Sequence, residues 1–199
     1  MSDSAMNSDA WAVSPGQYEA DNPPRFGPAV ARTSCYVTMR DGVDIAVDVH
    51  LPQELPAGET LPALLINTPY YRRFKITPAE GDSVEASPNT GYLRDYFVPH
   101  GYAVVVADVR GTGASFGTRD GFRSPRERED YRELADWAVA QTWSDGTIGS
   151  TGISYVGASA DFLATTGHPA VKAVIPSFAV WDTYADHFYL GGLLLNHLP

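Results

Sequence analysis

Residues 147–157, Thr-Ile-Gly-Ser-Thr-Gly-Ile-Ser-Tyr-Val-Gly, read as a short strand, Thr147 to Ile153, running straight into a helix of roughly Tyr155 to Thr166. Ser154 stands at the junction. A serine hydroxyl is a poor nucleophile at neutral pH, so it must stand free at a sharp turn where a base can reach it. Gly152 and Gly157 flank the serine and permit such a turn. The helix that follows directs its first N–H groups at the serine, which makes the Tyr155 amide the expected donor to the oxyanion of a tetrahedral intermediate. The same residues also suit a serine that merely caps the helix, and Gly-x-Ser-x-x-Gly is one residue longer than the usual Gly-x-Ser-x-Gly. The stretch by itself leaves both readings open.

Outward from this junction, Leu61 to Ile66, Ala103 to Ala107 and Val171 to Ile175 are continuous apolar runs, the pattern of strands covered on both faces. Upstream, Val37 and Met39, then Val43, Ile45, Val47 and Val49, alternate about the Asp41-Gly42 turn, which predicts a β-hairpin with one buried face. A helix is expected from Pro125, with Ser124 as N-cap and Glu127 completing a capping box. Its apolar stripe is Tyr131, Leu134, Ala135, Ala138 and Val139, and the charged residues between Arg126 and Asp136 form its solvated side. A hairpin feeding alternating strands and helices predicts an α/β fold with a mixed, mostly parallel sheet. Residues 1–30 carry no apolar period and read as an extended or partly disordered arm.

Composition narrows the function classes. Fourteen Lys and Arg against 24 Asp and Glu give a net charge of -10, which repels phosphate backbones and offers anionic lipid no basic patch. No nucleic-acid or membrane partner is expected. The most apolar late stretch, Leu190 to Leu195, is far shorter than the roughly 20 residues that span a bilayer. Met1 to Ala20 lacks a basic segment followed by an apolar run, so the expected location is the cytoplasm. Cys35, the single cysteine, opens a predicted strand and reads as an inert thiol; neither metal nor cofactor is expected.

Six segments occur in an order that carries more information than any of them alone. They are Met39 to Val43 (M-R-D-G-V), Asn67 to Tyr70 (N-T-P-Y), His100 to Gly117, Trp143 to Gly149 (W-S-D-G-T-I-G), Gly152 to Gly157 (G-I-S-Y-V-G) and Ala170 to Pro176. In them the chain resembles the serine acyl hydrolases that include cocaine esterase, α-amino acid ester hydrolase, glutaryl-cephalosporin acylase and the X-prolyl dipeptidyl-peptidases. The resemblance implies an α/β-hydrolase core, in which Gly-x-Ser-Tyr-x-Gly is the family's form of the elbow. It matches Ser154 to the nucleophile and Tyr70 to a tyrosine whose phenol is the second oxyanion donor. A loop aromatic packed on the core is the competing reading of Tyr70, and Tyr71 is its neighbour and competitor, disfavoured by the Pro-Tyr match.

Gly111 to Gly117 superficially suggests a dinucleotide-binding loop, but its third glycine comes one residue late and the next helix begins only at Ser124. By the resemblance it is a structural loop, braced by Asp108 and Arg110. The catalytic acid and base are expected outside this chain. His168, His187 and His197, with Asp161, Asp182 and Asp186, follow Ser154, yet none matches the family's acid or base, which the resemblance assigns to later loops. Residues 31–176 are then the N-terminal part of the hydrolase domain, and residues 177–199 the start of a cap insertion whose remainder is absent. The activity expected is cleavage of a small-molecule ester, amide or peptide, and the alternative is a non-catalytic truncated remnant that binds or assembles. Oligomeric state stays open.

Overall fold

The computed structural model describes residues 13–77, 84–86 and 90–194. Six strands form one sheet: β1 (Val30–Thr38), β2 (Asp44–Pro52), β3 (Leu61–Thr68), β6 (Ala103–Asp108), β7 (Ser144–Ile153) and β8 (Val171–Ser177), in the spatial order β1-β2-β6-β3-β7-β8. A separate two-stranded ribbon pairs β4 (Phe74–Ile76) with β5 (Val84–Ala86). The β1–β2 and β2–β6 pairs are antiparallel, whereas β6, β3, β7 and β8 are mutually parallel. The sheet is thus mixed and mostly parallel, and its four parallel strands all deliver their C-terminal ends to one edge.

Period-two packing explains the continuous apolar runs. Ala63 and Leu65 of β3 and Val105 and Ala107 of β6 face a core built with α3 (Pro125–Val139) and α4 (Tyr155–Ala164). Leu64 and Ile66, with Val104 and Val106, face a second cluster shared with Leu93 of α2 (Gly91–Phe97). Both faces of these strands are therefore buried, as parallel strands require.

Several local expectations are corrected. The first strand begins at Val30 rather than near Cys35, because its polar residues pair with β2 as far as Pro52. The arm contains a seven-residue helix, α1 (Pro15–Asp21), capped by Ser14 and burying nothing; residues 1–12 lie outside the described part. β2 is buried on both faces: Asp48 and His50 on its second face are both buried, Asp48 beneath Ser34, Arg72 and Arg73. Ser124 does cap α3 through the Glu127 amide, but the Glu127 carboxylate does not close a capping box. It points inward and is buried, as is Asp130, so the charged stretch of α3 is not simply its solvated side.

Asp108 braces the glycine loop as expected. Its carboxylate accepts from the Ala114 amide at 2.9 Å, and its carbonyl accepts from Ser115 Oγ at 2.7 Å. Gly113 curls so tightly that a Cβ there would lie 2.3 Å from the Asp108 carboxylate. The loop thus closes around a carboxylate of its own. Arg110 also abuts the loop, where a Cβ on Gly117 would lie 3.3 Å from its Cγ, while its guanidinium pairs with Asp130 of α3 at 2.6 Å and with Asp41 of the hairpin turn at 2.7 Å, tying those elements together. No helix among the described residues is long and apolar enough to cross a membrane.

Candidate active site

Ser154 sits between β7 and α4 with φ 61° and ψ -124°, a left-handed conformation that a residue with a Cβ adopts only under strain. Neighbouring chain holds it there. The Ser154 amide donates to the Ser177 carbonyl at 3.1 Å, and its own carbonyl starts α4 by accepting from Ala158 at 2.8 Å. The two flanking glycines serve close approach rather than positive φ. A Cβ on Gly152 would lie 2.3 Å from Val156 Cγ1, and one on Gly157 would lie 2.5 Å from the Ser177 carbonyl. Ser154 therefore projects, exposed, at the C-terminal edge of the sheet.

Tyr70 reaches the same edge from β3. Its amide donates to Thr68 Oγ1 at 3.1 Å, and two residues on Arg72 clamps the loop: its amide donates to Asp108 Oδ1 at 2.6 Å and its guanidinium pairs with Asp108 at 2.5 Å and Asp48 at 3.0 Å. Tyr71 turns away with φ 67° and packs edge-on against Phe74. Tyr70 instead meets the Tyr155 ring edge-on, centroids 6.1 Å apart.

Tyr155 opens α4, so its amide is a first-turn N–H with no partner inside the helix. Its side chain was not singled out by sequence, yet it is the anchored group of the site. Its phenol donates to Glu127 at 2.7 Å and accepts from Arg119 at 2.6 Å. Arg119 also lies over the ring at 5.1 Å, and Phe122 meets it edge-on at 4.9 Å. Burial, then the Glu127 carboxylate, push the Tyr155 phenol well above its ordinary pKa, against the pull of Arg119. The signal for Glu127 was available: it precedes Tyr131 by four residues and so heads the apolar stripe of α3.

Tyr70, Ser154 and Tyr155 line one cleft of about 690 Å³, with Phe122, Phe178, Trp181 and His187 around them. Tyr71 does not line it. Of the histidines after Ser154, His168 is buried elsewhere: Nδ1 accepts from the Ala170 amide at 3.1 Å, which fixes the proton on Nε2, the nitrogen that donates to Asp136 at 3.0 Å. Asp161 pairs with Arg123 at 2.9 Å, and Asp182 caps the π-helical turn Thr183–Phe188. Asp186 and His187 belong to that turn and line the cleft, but the Asp186 carboxylate accepts from the Asp182 amide. No hydrogen bond joins Ser154 Oγ to a histidine among the described residues, and His197 lies outside them. Burial and the nearby Asp48 raise the Cys35 thiol pKa against Arg72. Among the described residues no group of three or more His, Cys, Asp or Glu could hold a metal ion.

The family model described as X-Pro dipeptidyl-peptidase (S15 family) matches residues 41–198. The chain belongs to this family. A Mycobacterium tuberculosis protein named as a serine esterase is 42% identical over 189 residues, covering 92% of this chain and 30% of the relative. The cocaine esterase of a Rhodococcus species is 35% identical over 160 residues, covering 80% and 25%. A solved CocE/NonD family hydrolase from Staphylococcus aureus superposes with a TM-score of 0.67 at 26% identity, covering 85% of this chain and 34% of that one. An α-amino acid ester hydrolase superposes with 0.62 at 26%, covering 94% and 30%. The S15 chain described here thus carries an α/β-hydrolase fold and spans about 30% of the length of the mycobacterial relatives it matches.

Proposed function

We propose that this chain carries the nucleophile half of a serine acyl hydrolase, which cleaves a carboxylic ester, amide or peptide through an acyl-enzyme on Ser154. The observation that carries the reading is the strained, exposed Ser154 sharing one cleft with Tyr70. Ser154 Oγ attacks the substrate carbonyl while a base takes its proton, and the oxyanion is held by the Tyr155 amide and the Tyr70 phenol. The leaving alcohol or amine departs with that proton, and water then releases the acid by the same path. The base and the acid that orients it are not assigned within the described residues, where His168 is held by Asp136 and Asp161 by Arg123.

The test joins the chain to the C-terminal portion of the longer mycobacterial relative and treats it with a fluorophosphonate and a short-chain nitrophenyl ester. Labelling at Ser154 and turnover lost in Ser154→Ala are expected. An assembled, folded protein that is neither labelled nor active would instead favour a non-catalytic remnant.

A further inference from the structure

Among the described residues four carboxylates are buried, and three of them, Asp48, Asp108 and Asp130, are held by arginines. Glu127 is different. It accepts from two phenols, Tyr131 and Tyr155, at the same oxygen, Oε1. Because a guanidinium can only donate, the Arg119 contact makes Tyr155 Oη an acceptor there and directs its own proton at Glu127. Ser159 Oγ, within 3.2 Å of the Tyr131 phenol, also lies 3.0 Å from the Tyr155 main-chain carbonyl, to which it donates. Residue 155 is therefore pinned at its backbone, at its phenol and, through Phe122 and Arg119, at its ring. Tyr70 rests its ring against that pinned ring.

We infer that Glu127, which does not line the cleft, is a positioning residue that acts through Tyr155 to set both oxyanion donors, the Tyr155 amide and the Tyr70 phenol. This rests on the acyl-enzyme reading above. Oxyanion donors act because they are aimed in advance, and a displacement of about 1 Å can cost roughly 100-fold in rate. Losing the Glu127 tether leaves the Tyr155 phenol held by the exposed Arg119 alone, loosens the first turn of α4 and weakens the platform under Tyr70, so one change reaches two donors. Charged Glu127 in place of glutamine is not needed for this, since one acceptor oxygen serves both phenols.

In the acylating protein, Tyr155→Phe and Glu127→Ala should lower kcat per titrated active site by roughly 10- to 100-fold with KM within about twofold, whereas Glu127→Gln restores most of the rate. A merely structural Glu127 would lower Tm and the folded fraction and leave kcat per titrated site unchanged. Should Glu127→Ala not fold, Tyr155→Phe and the exposed Arg119→Met carry the same test. Turnover surviving Ser154→Ala would overturn the nucleophile reading; a dead Ser154→Ala beside unchanged kcat in Tyr155→Phe and Glu127→Ala would overturn only the positioning role. The 199-residue chain offers an arm without catalysis. Hydrogen exchange should quicken at residues 152–158 and 68–72 in Tyr155→Phe while the β1–β2 hairpin is unaffected, and unchanged exchange at both segments overturns the inference.

Discussion

Ser154 bears a conformational cost that the proposed nucleophile role would explain. Holding a residue with a Cβ at φ 61° and ψ -124° costs on the order of 1–3 kcal/mol, and the surrounding bonds to Ser177 and Ala158 sustain it. Glycine adopts that conformation freely but adds unfolded-chain entropy of about 0.4–1 kcal/mol, so Ser154→Gly should be more stable than Ser154→Ala by about 1 kcal/mol. Denaturant melts of the two inactive variants decide it, and an alanine variant at least as stable as the glycine one would mean the turn holds no strain. Tyr70 makes a separate prediction. Removing one oxyanion donor typically costs roughly 100- to 1,000-fold in kcat, so Tyr70→Phe should show that loss with a smaller change in KM. Tyr71→Phe, outside the cleft and against Phe74, is the control. A loss confined to the Tyr71 variant would move the donor role to the other tyrosine.

Between elements, charge clamps do what the apolar core does within them. Asp48 of β2 is held by Ser34 of β1 and by Arg72 and Arg73 from the loop that carries Tyr70. Burial pushes the Asp48 carboxyl up, but the Ser34 hydroxyl and the two guanidinium groups outweigh it and leave its pKa below the ordinary value. A pKa lower in the folded than in the unfolded chain gives stability that is complete above the ordinary aspartate value of about 4 and is lost as pH falls through the folded value. Wild-type Tm should therefore fall below about pH 4, and Asp48→Asn should lower Tm at pH 7 while flattening the acid-side slope. An unchanged slope would assign the acid sensitivity to other carboxylates, such as the Arg110-bound Asp41. These clamps are also where sequence was least legible. Val105 and Leu65 announced buried strands, and Ser124-Pro125 announced a helix start, because local periodicity and capping are read within a few residues. Ser154 was legible for the same reason, as a strand-to-helix junction. Glu127 and Asp130 looked like a solvated helix face because their partners, Tyr155 and Arg110, lie 28 and 20 residues away and meet them only in the folded sheet. Tyr70 lay between these cases: its strand was visible, but only the Pro-Tyr match of the resemblance preferred it to Tyr71, because no local pattern announces the left-handed φ that turns Tyr71 aside.

At the scale of the whole molecule, the sheet ends in β8, whose outer edge pairs with no strand among the described residues. Around it stand exposed Ile175, Phe178 and Trp181, of which Phe178 is 88% exposed. A strand edge bordered by apolar side chains is a template for pairing with another chain. The net charge of -10 opposes that contact by mutual repulsion, which salt screens over a Debye length of about 10 Å at 0.1 M. The 199-residue chain by itself should therefore self-associate, and do so more as salt is added, until a C-terminal portion covers the edge. It should also lack esterase activity: with His168 engaged by Asp136 and Ala170, and no described histidine, His187 included, hydrogen-bonded to Ser154 Oγ, Ser154 keeps its proton at neutral pH, whatever the state of its oxyanion donors. Light scattering against salt and a nitrophenyl ester assay, each with and without the C-terminal portion, read both expectations. A monomer at all salt concentrations would show that the β8 edge is protected within the chain. Ser154-dependent turnover by the chain alone, lost in His187→Ala, would show that the one described histidine lining the cleft serves as the base, and the need for an outside base would then fall.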